Sequence, residues 1–172
     1  MDKVDIKTER LYIRNITLND VDDVYLSWLN DYESTKYIVH RKNSIDSLKK
    51  YVKEKIDNPN TIFLAIFDLL SNKHIGNIKF EPIDLAERFA VMGILIGDSN
   101  YKGIGIAKEV IINTSFYLNR SLNINKIYLG VNTNNLPALK AYTKMGFRQS
   151  ITNKVFAKSI NSKIFELEIS RN

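Results

Sequence analysis

The sequence predicts a single domain of the α/β (α+β) class, with about four helices and a mixed, mostly antiparallel sheet of about seven strands. The chain has 172 residues, of which 44% are hydrophobic and 26% charged, a balance typical of a folded domain with a sizeable core. Short runs of alternating apolar and polar residues, typical of strands, are interleaved with longer runs of helical period. No repeat, linker or low-complexity tract interrupts this order, so we expect one domain spanning residues 1–172.

The first third of the chain predicts a strand and two helices. Leu11 to Ile16 alternates as a strand, and Thr17 with Asp20 makes a capped helix start that continues to Trp28 at helical spacing. A loop follows, from Asn30 to Asn43. The second helix stops at Asn58-Pro59-Asn60, and its predicted buried stripe consists of Ile45, Leu48, Tyr51, Val52 and Ile56.

Strands and helices are predicted for the rest of the chain. Thr61 to Phe67 and His74 to Phe80 are expected to form antiparallel strands joined by the polar turn Ser71-Asn72-Lys73. The remaining predicted elements are a strand at 88–96, a helix at 103–119, a strand at 126–131, a helix at 136–145 and two final strands at 147–157 and 161–169.

Charge and composition exclude several classes of protein. The net charge of +6 comes from scattered lysines, which favours a solvated basic surface or a site for a small anion over a nucleic-acid partner. The absence of Cys excludes disulfides, a thiolate nucleophile and sulfur-bound zinc, and the two His show no metal-binding pattern. The longest apolar run, 62–70, is interrupted by Asp68 and is too short to cross a bilayer. We expect a cytoplasmic protein with no metal and no membrane partner.

A glycine-containing turn precedes the helix predicted at 103–119. Gly103-x-Gly105 would leave backbone N–H groups at a helix N-terminus, where a pyrophosphate can bind. A dinucleotide-binding fingerprint would need a third glycine where Lys108 stands, and no Gly-Lys-Ser/Thr sequence of a Walker loop follows. Taken alone, two glycines are better explained by a plain strand-to-helix turn.

A second and longer pattern lies one helix and one strand further along the chain. It is Asn135-x-x-Ala138-x-x-x-Tyr142-x-Lys144-x-Gly146-Phe147. Asn135 is a good helix N-cap, and Gly146-Phe147 marks the end of that helix. The glycine turn and this pattern, at this distance from each other, form a specific combination.

Together the two elements resemble the acetyl-CoA site of the GNAT superfamily of N-acetyltransferases. The resemblance extends from Thr8-Glu9-Arg10-Leu11 to Phe147, and it is greatest to the branch of ribosomal-protein alanine acetyltransferases and amino-sugar acetyltransferases. The segments Tyr25 to Asp31 and Ile83-Asp84 are typical of that branch. The resemblance implies a GNAT-like domain, acetyl-CoA as cosubstrate, and a sheet whose strands are splayed at the acetyl-CoA slot.

The resemblance also implies which residues contact acetyl-CoA. Backbone N–H groups from Gly103 to Lys108 are expected to bind the pyrophosphate at the positive end of the helix dipole. The family pattern Gln/Arg-x-x-Gly-x-Gly/Ala begins here with Lys102, which keeps a cationic side chain near phosphate. Gly97 fits a bulge that would part its strand from the strand ending at Val131. The predicted cofactor-binding residues are Leu95, Ile96, Gly97, Lys102, Gly103, Ile104, Gly105, Ile106, Ala107, Lys108, Asn135 and Tyr142.

Tyr142 is the general acid that the resemblance implies. The conjugate acid of the CoA thiolate has a pKa of about 8.5, so a Tyr hydroxyl with a pKa near about 10 can protonate the thiolate without a large uphill cost. Helical spacing alone would make Tyr142 a core aromatic residue. The flanking Asn135 and Gly146-Phe147 favour the catalytic role.

The general base is not supplied by the same pattern. Many relatives carry Glu two residues before the glycine of the strand that precedes the phosphate loop, and this chain has Val91 there. Glu81 is the first substitute, because strand alternation places it on one face with Asn77 and Lys79. Glu87 and Asp84 follow as candidates, and a water chain would need none of them. The predicted acceptor contacts are Trp28, Asn30, Tyr37 and Glu81.

The sequence therefore predicts an enzyme that moves acetyl from acetyl-CoA to a primary amine by direct attack in a ternary complex. The acceptor is expected to be a small-molecule or peptide amine, with a nucleotide-linked amino sugar favoured over a protein N-terminus. A non-catalytic acyl-CoA-binding domain is the alternative if Val91 signals lost chemistry. We expect a monomer or a homodimer.

Overall fold

One mixed sheet of eight strands organises the fold in the computed structural model, which describes residues 3–31, 44–152 and 161–169. The strand order is β1-β2-β3-β4-β5-β6-β8-β7, and β5 and β6 pair in parallel while the other neighbours pair antiparallel. The strands are β1 Asp5–Lys7, β2 Leu11–Asn15, β3 Ile62–Asp68, β4 His74–Asp84, β5 Phe89–Ile96, β6 Lys126–Asn132, β7 Arg148–Gln149 and β8 Ser162–Glu168. The α-helices of the described part are α1 Asp23–Asn30, α2 Ile45–Asp57, α3 Ile106–Leu122 and α4 Leu136–Lys144. The predicted fold class is confirmed.

The sheet is covered by helices on both faces, as the alternation along β3 shows. Ile62, Leu64 and Ile66 belong to a core shared with α3, whereas Phe63 and Phe67 belong to a second core shared with α1 and α2. Successive side chains of a strand point to opposite faces, so a strand buried on both sides is apolar throughout. We name the two sides of the sheet the α3 face and the α2 face.

The sequence missed one strand and misjudged the start of the first helix. The three-residue edge strand β1 carries no hydrophobic signal, because its pairing with β2 exposes Asp5 and Lys7. Thr17 and Asp20 do form a capping box, but it closes a short 3-10 turn. The first α-helix begins later, at Asp23, where the Asp22 side chain accepts a hydrogen bond from the Tyr25 N–H at 2.8 Å.

The exposure of one residue and the bounds of two elements also differ from the prediction. In α2, Leu48 and Val52 are buried as expected, whereas Ile56 at the helix end is 45% exposed. The third helix begins at Ile106 rather than at 103, because Gly103 and Gly105 adopt positive φ angles of +78° and +86° that a helix cannot contain. The strand predicted at 147–157 is paired at Arg148–Gln149, and its residues 153–160 lie outside the described part. Within the described ranges, no helix combines the length and apolar character that a membrane span would need.

Candidate active site

Strands β5 and β6 diverge part-way along their length. Their parallel pairing covers three residue pairs, and Val91 with Tyr128 is the last of them. Beyond that point β5 continues to Ile96 paired with β4, and β6 continues to Asn132 paired with β8. A V-shaped slot therefore opens between the two strands, with its apex at Val91 and Tyr128. The splayed strands implied by the resemblance are present.

Gly97 has a different role from the predicted bulge. The strands part at Val91, several residues before Gly97, and the Gly97 N–H donates to the Ile75 carbonyl at 2.9 Å. A Cβ on Gly97 would lie 1.9 Å from Cδ2 of Trp28, so only glycine allows this packing. The predicted pantetheine contacts Leu95 and Ile96 are half-buried along the β5 side of the slot.

The turn between β5 and α3 presents backbone donors. The first hydrogen bond of α3 runs from the Glu109 N–H to the Gly105 carbonyl, so the N–H groups of Ile106, Ala107 and Lys108 have no acceptor within the helix. A Cβ placed on Gly103 would meet no atom within 4 Å, which shows that the turn faces open space. This arrangement can hold an anion, and Lys102 stands beside it, 4.0 Å from Asp31.

The guanidinium group of Arg10 holds the turn in place by bonding both to the turn and to α3. Arg10 donates from Nη1 to the Ile104 carbonyl at 3.0 Å and from Nε to Oε2 of Glu109 at 2.8 Å. The Thr8 hydroxyl and the Arg10 backbone N–H also donate to the Glu109 carboxylate. Burial alone would raise the pKa of Glu109, but these hydrogen bonds outweigh it and hold the pKa below its ordinary value. The sequence analysis included Thr8 and Arg10 only in the extent of the family resemblance. The neighbouring residues carry no signal that these two side chains contact α3.

Tyr142 lies on α4 and packs against the core of the α3 face. This core includes Leu129 and Val131, which lie on β6 beyond the point where β5 and β6 part. Its ring packs on Phe147, with ring centres 5.5 Å apart. Burial raises the pKa of Tyr142 to about 12, so the hydroxyl stays protonated at neutral pH. The predicted cap is confirmed: the Asn135 side chain accepts a hydrogen bond from the Ala138 N–H at 3.3 Å.

Glu81 lies beside the apex of the slot, one strand away on β4. Phe80 pairs with Met92 and Ile83 with Ala90, so Glu81 and Pro82 bulge opposite Val91, the position that carries Glu in many relatives. The geometry thus brings the predicted substitute beside the missing carboxylate.

Two lysines hold the Glu81 carboxylate. It accepts hydrogen bonds from Lys55 Nζ and Lys79 Nζ, each at 2.6 Å, and from the Asn58 side chain at 3.3 Å. Lys79 Nζ also donates to the Tyr51 hydroxyl at 2.9 Å. Burial would raise the pKa of Glu81, but the lysine hydrogen bonds outweigh it and lower the pKa. Glu81 is therefore ionised at neutral pH and is a weak proton acceptor.

The four predicted acceptor contacts do not come together at one place in the structure. Trp28 is 6% exposed and packs between His74 and Gly97, so its ring supports the wall of the site from inside the core. Asn30 is exposed at the end of α1. Tyr37 lies outside the described residues. Of the four, Glu81 is the one that the structure places beside the slot apex, on the neighbouring strand β4.

The family of the chain follows from comparison with known proteins. Residues 10–148 match the family described as acetyltransferase (GNAT) domain. The chain belongs to the GNAT acetyltransferase family. The uncharacterised N-acetyltransferase p20 of Bacillus licheniformis is 29% identical over 150 residues, which cover 83% of this chain and 81% of that protein. This GNAT protein is accordingly an N-acetyltransferase, as the sequence predicted.

Solved structures share the fold of this GNAT protein. The spermidine N-acetyltransferase of Vibrio cholerae, in complex with CoA and spermine, superposes with a TM-score of 0.79 at 22% identity, covering 94% of this chain and 96% of the other. The ribosomal-protein-S5-alanine acetyltransferase of Vibrio fischeri gives a TM-score of 0.78 at 16% identity, covering 96% of each chain. At these identities the likeness concerns the fold, and the acceptor is not determined by it.

Arg10→Lys is expected to weaken acetyl-CoA binding about three- to tenfold, because Lys cannot bridge the Ile104 carbonyl and Glu109 at once and the ion pair is partly exposed. Calorimetric titration with acetyl-CoA measures the change. Arg14→Lys is the matched control, since Arg14 makes a similar fork with Asp20, at 2.8 and 2.7 Å, elsewhere on the sheet. Equal Kd values in the two variants would contradict a role for Arg10 in holding the turn.

Proposed function

We propose that the chain binds acetyl-CoA in the β5/β6 slot and transfers the acetyl group to a primary amine. The observation that carries this proposal is that β5, one side of the slot, leads into the turn before α3, where the first N–H groups of the helix have no acceptor within it. Pyrophosphate would bind at Gly103 to Lys108, the pantetheine arm would run along Leu95 and Ile96, and Asn135 would contact CoA. The thioester then lies near the apex, between Tyr142 on the α3 face and Glu81 on the α2 face.

The transfer needs a neutral amine and a leaving thiolate. The amine nitrogen, having lost its ammonium proton, forms the bond to the carbonyl carbon, and the C–S bond then breaks. The nitrogen releases a second proton to solvent as the amide forms. The thiolate takes a proton from the Tyr142 hydroxyl, and Tyr142 regains its proton from solvent. A Tyr pKa of about 12 keeps the hydroxyl protonated at the working pH, and it also makes Tyr142 a weaker acid than a solvent-exposed Tyr.

A nucleotide-linked amino sugar is the acceptor we propose, with a protein N-terminus as the second candidate. The cluster at the apex supports it: Lys55 and Lys79 carry two positive charges against the single carboxylate of Glu81. A surplus of positive charge suits an acceptor with phosphate groups and repels a polycation.

A thiol-release assay with acetyl-CoA and a panel of amines tests the proposed function. We expect thiol release that depends on both substrates. Acetyl-CoA binding without release, for every amine in the panel, would instead support a non-catalytic acyl-CoA-binding domain.

Glu81→Gln is expected to lower kcat/KM roughly a hundredfold at neutral pH, because the ionised carboxylate assists deprotonation of the acceptor directly or through water. Because the lysine hydrogen bonds hold the pKa of Glu81 below its ordinary value, the carboxylate is already ionised at neutral pH. The acid limb near neutral pH then reports the acceptor ammonium and keeps its position in the variant. Glu54→Gln, on the exposed side of α2, is the control. An unchanged rate in Glu81→Gln would remove Glu81 from the site.

A further inference from the structure

Gly93 stands in the middle of β5, at a position where the fold does not require glycine. Of the six glycines whose surroundings the structure describes, two would bring a Cβ into collision with neighbouring atoms and three have a positive φ angle. Neither reason applies to Gly93, where a Cβ would meet no atom within 4 Å. Its pairing with β4 is regular, so it marks no bulge. A glycine inside a strand weakens the strand, and it often marks a place where a ligand approaches the backbone closely.

Gly93 lies at the point where the slot begins. The pairing of β5 with β6 ends at Val91, so Gly93, two residues further on, has β4 on one side and the slot on the other. Met92 belongs to the core of the α3 face, and a side chain at position 93 would therefore point to the α2 face. Gly93 is itself exposed. The slot is thus open toward the α2 face at this residue.

The neighbouring side chains leave the space over Gly93 unfilled. Lys79 is the cross-strand partner of Gly93, but its Nζ donates to Oε2 of Glu81 at 2.6 Å. Val91 and Leu95 flank Gly93 on the same strand and the same face, and Leu95 packs on the core of the α2 face. The result is a gap one side chain wide between Val91 and Leu95, which we name the Gly93 port.

We propose that the acceptor amine crosses from the α2 face to the thioester through the Gly93 port, and that Gly93 limits the bulk that the acceptor can carry around its nitrogen. The inference rests on the proposed function and adds to it a residue that determines specificity. The proposed thioester lies in the slot near the apex, so a nitrogen that reaches it from the side of Glu81 passes Gly93. A side chain at this position obstructs that path and leaves the N–H groups at the start of α3 unchanged.

Gly93→Ala and Gly93→Val are expected to lower kcat/KM for the acceptor by about tenfold and about a hundredfold, because added methyl groups have effects of this size in a close-fitting site. The Kd for acetyl-CoA should stay within a few-fold of the wild-type value. The Tm of Gly93→Val should not fall, since no atom opposes the new Cβ and β-branched residues are favoured in strands. Lys7→Val, at an exposed position of the edge strand β1, is the matched control. A wild-type kcat/KM in Gly93→Val would overturn the proposed port.

Alkylation by bromoacetyl-CoA tests the position of the port without any acceptor. The chain has no Cys, so Gly93→Cys introduces a single thiol. Its sulfur bonds to the carbon that carries bromine, bromide leaves, and mass spectrometry detects the added group. We expect this reaction to be at least about a hundredfold faster than in Leu70→Cys, because binding would hold the reactive carbon beside position 93. Leu70 is 97% exposed in the turn between β3 and β4, and excess acetyl-CoA should slow alkylation in Gly93→Cys alone.

The two experiments separate the port from the proposed function. Selective alkylation of Gly93→Cys, without acetyl transfer by the wild type to any amine in the panel, would refute the proposed function and support the position of the port at the thioester. Equal alkylation of Gly93→Cys and Leu70→Cys, in proteins that acetyl-CoA still stabilises, would overturn the port and leave the proposed function standing. Absence of acetyl-CoA binding would overturn both.

Discussion

Replacing Tyr142 by Phe is expected to lower kcat by about 10²–10⁴, the usual contribution of a positioned general acid, while the Kd for acetyl-CoA stays within a few-fold. The substitution keeps the ring that packs on Phe147 and removes only the hydroxyl. Because the pKa of Tyr142 is raised to about 12, the wild-type kcat should show no loss from Tyr142 ionisation up to about pH 10. Steady-state kinetics over that pH range measure both effects.

Tyr117→Phe is the matched control for this experiment. Tyr117 lies on α3 and is partly buried against the same core as Tyr142. Its variant should retain wild-type kcat. If Tyr142→Phe also retained it, the thiolate would leave unassisted or another donor would act, and the role of Tyr142 would be wrong.

Gly105→Val is expected to abolish the stabilisation that acetyl-CoA gives the folded protein. For the wild type, a hundredfold excess of ligand over Kd should stabilise by about 2.7 kcal/mol. Gly105 has φ = +86°, so a β-branched residue there is strained by about 1–2 kcal/mol and displaces the turn that presents the N–H groups. Thermal unfolding with and without acetyl-CoA measures the loss.

Asn72→Val separates backbone strain from loss of the anion site. Asn72 also has a positive φ, +55°, but it lies in the turn between β3 and β4. Both variants should have a lower Tm, and only Gly105→Val should lose the acetyl-CoA shift. An intact shift in Gly105→Val would mean that the cofactor binds elsewhere.

The sequence predicted those parts of the site that are local in the chain. The helix cap at Asn135 and the glycine turn are encoded within a few residues, and the alternation of β3 and β5 fixes which side chains share a face. The position of Glu81 was also accessible, since it depends on strand alternation and one bulge.

Contacts between distant segments could not be predicted in the same way. Arg10 reaches Glu109 across 99 positions, and Gly97 is required by Trp28 on another element. The ion pairs of Lys55 and Lys79 with Glu81 join α2 to β4, and they change the acid–base properties of Glu81 without any signal in its own segment.

Transfer of the acetyl group straight from CoA to the amine is tested by tracing a labelled acetyl group supplied as acetyl-CoA. Without an amine, the label should remain on CoA and none should be found on the protein. After addition of the acceptor, the label should appear on the amine nitrogen, with one free thiol released for each amide formed. Label retained on the protein, or label that never reaches any amine in the panel, would contradict the account.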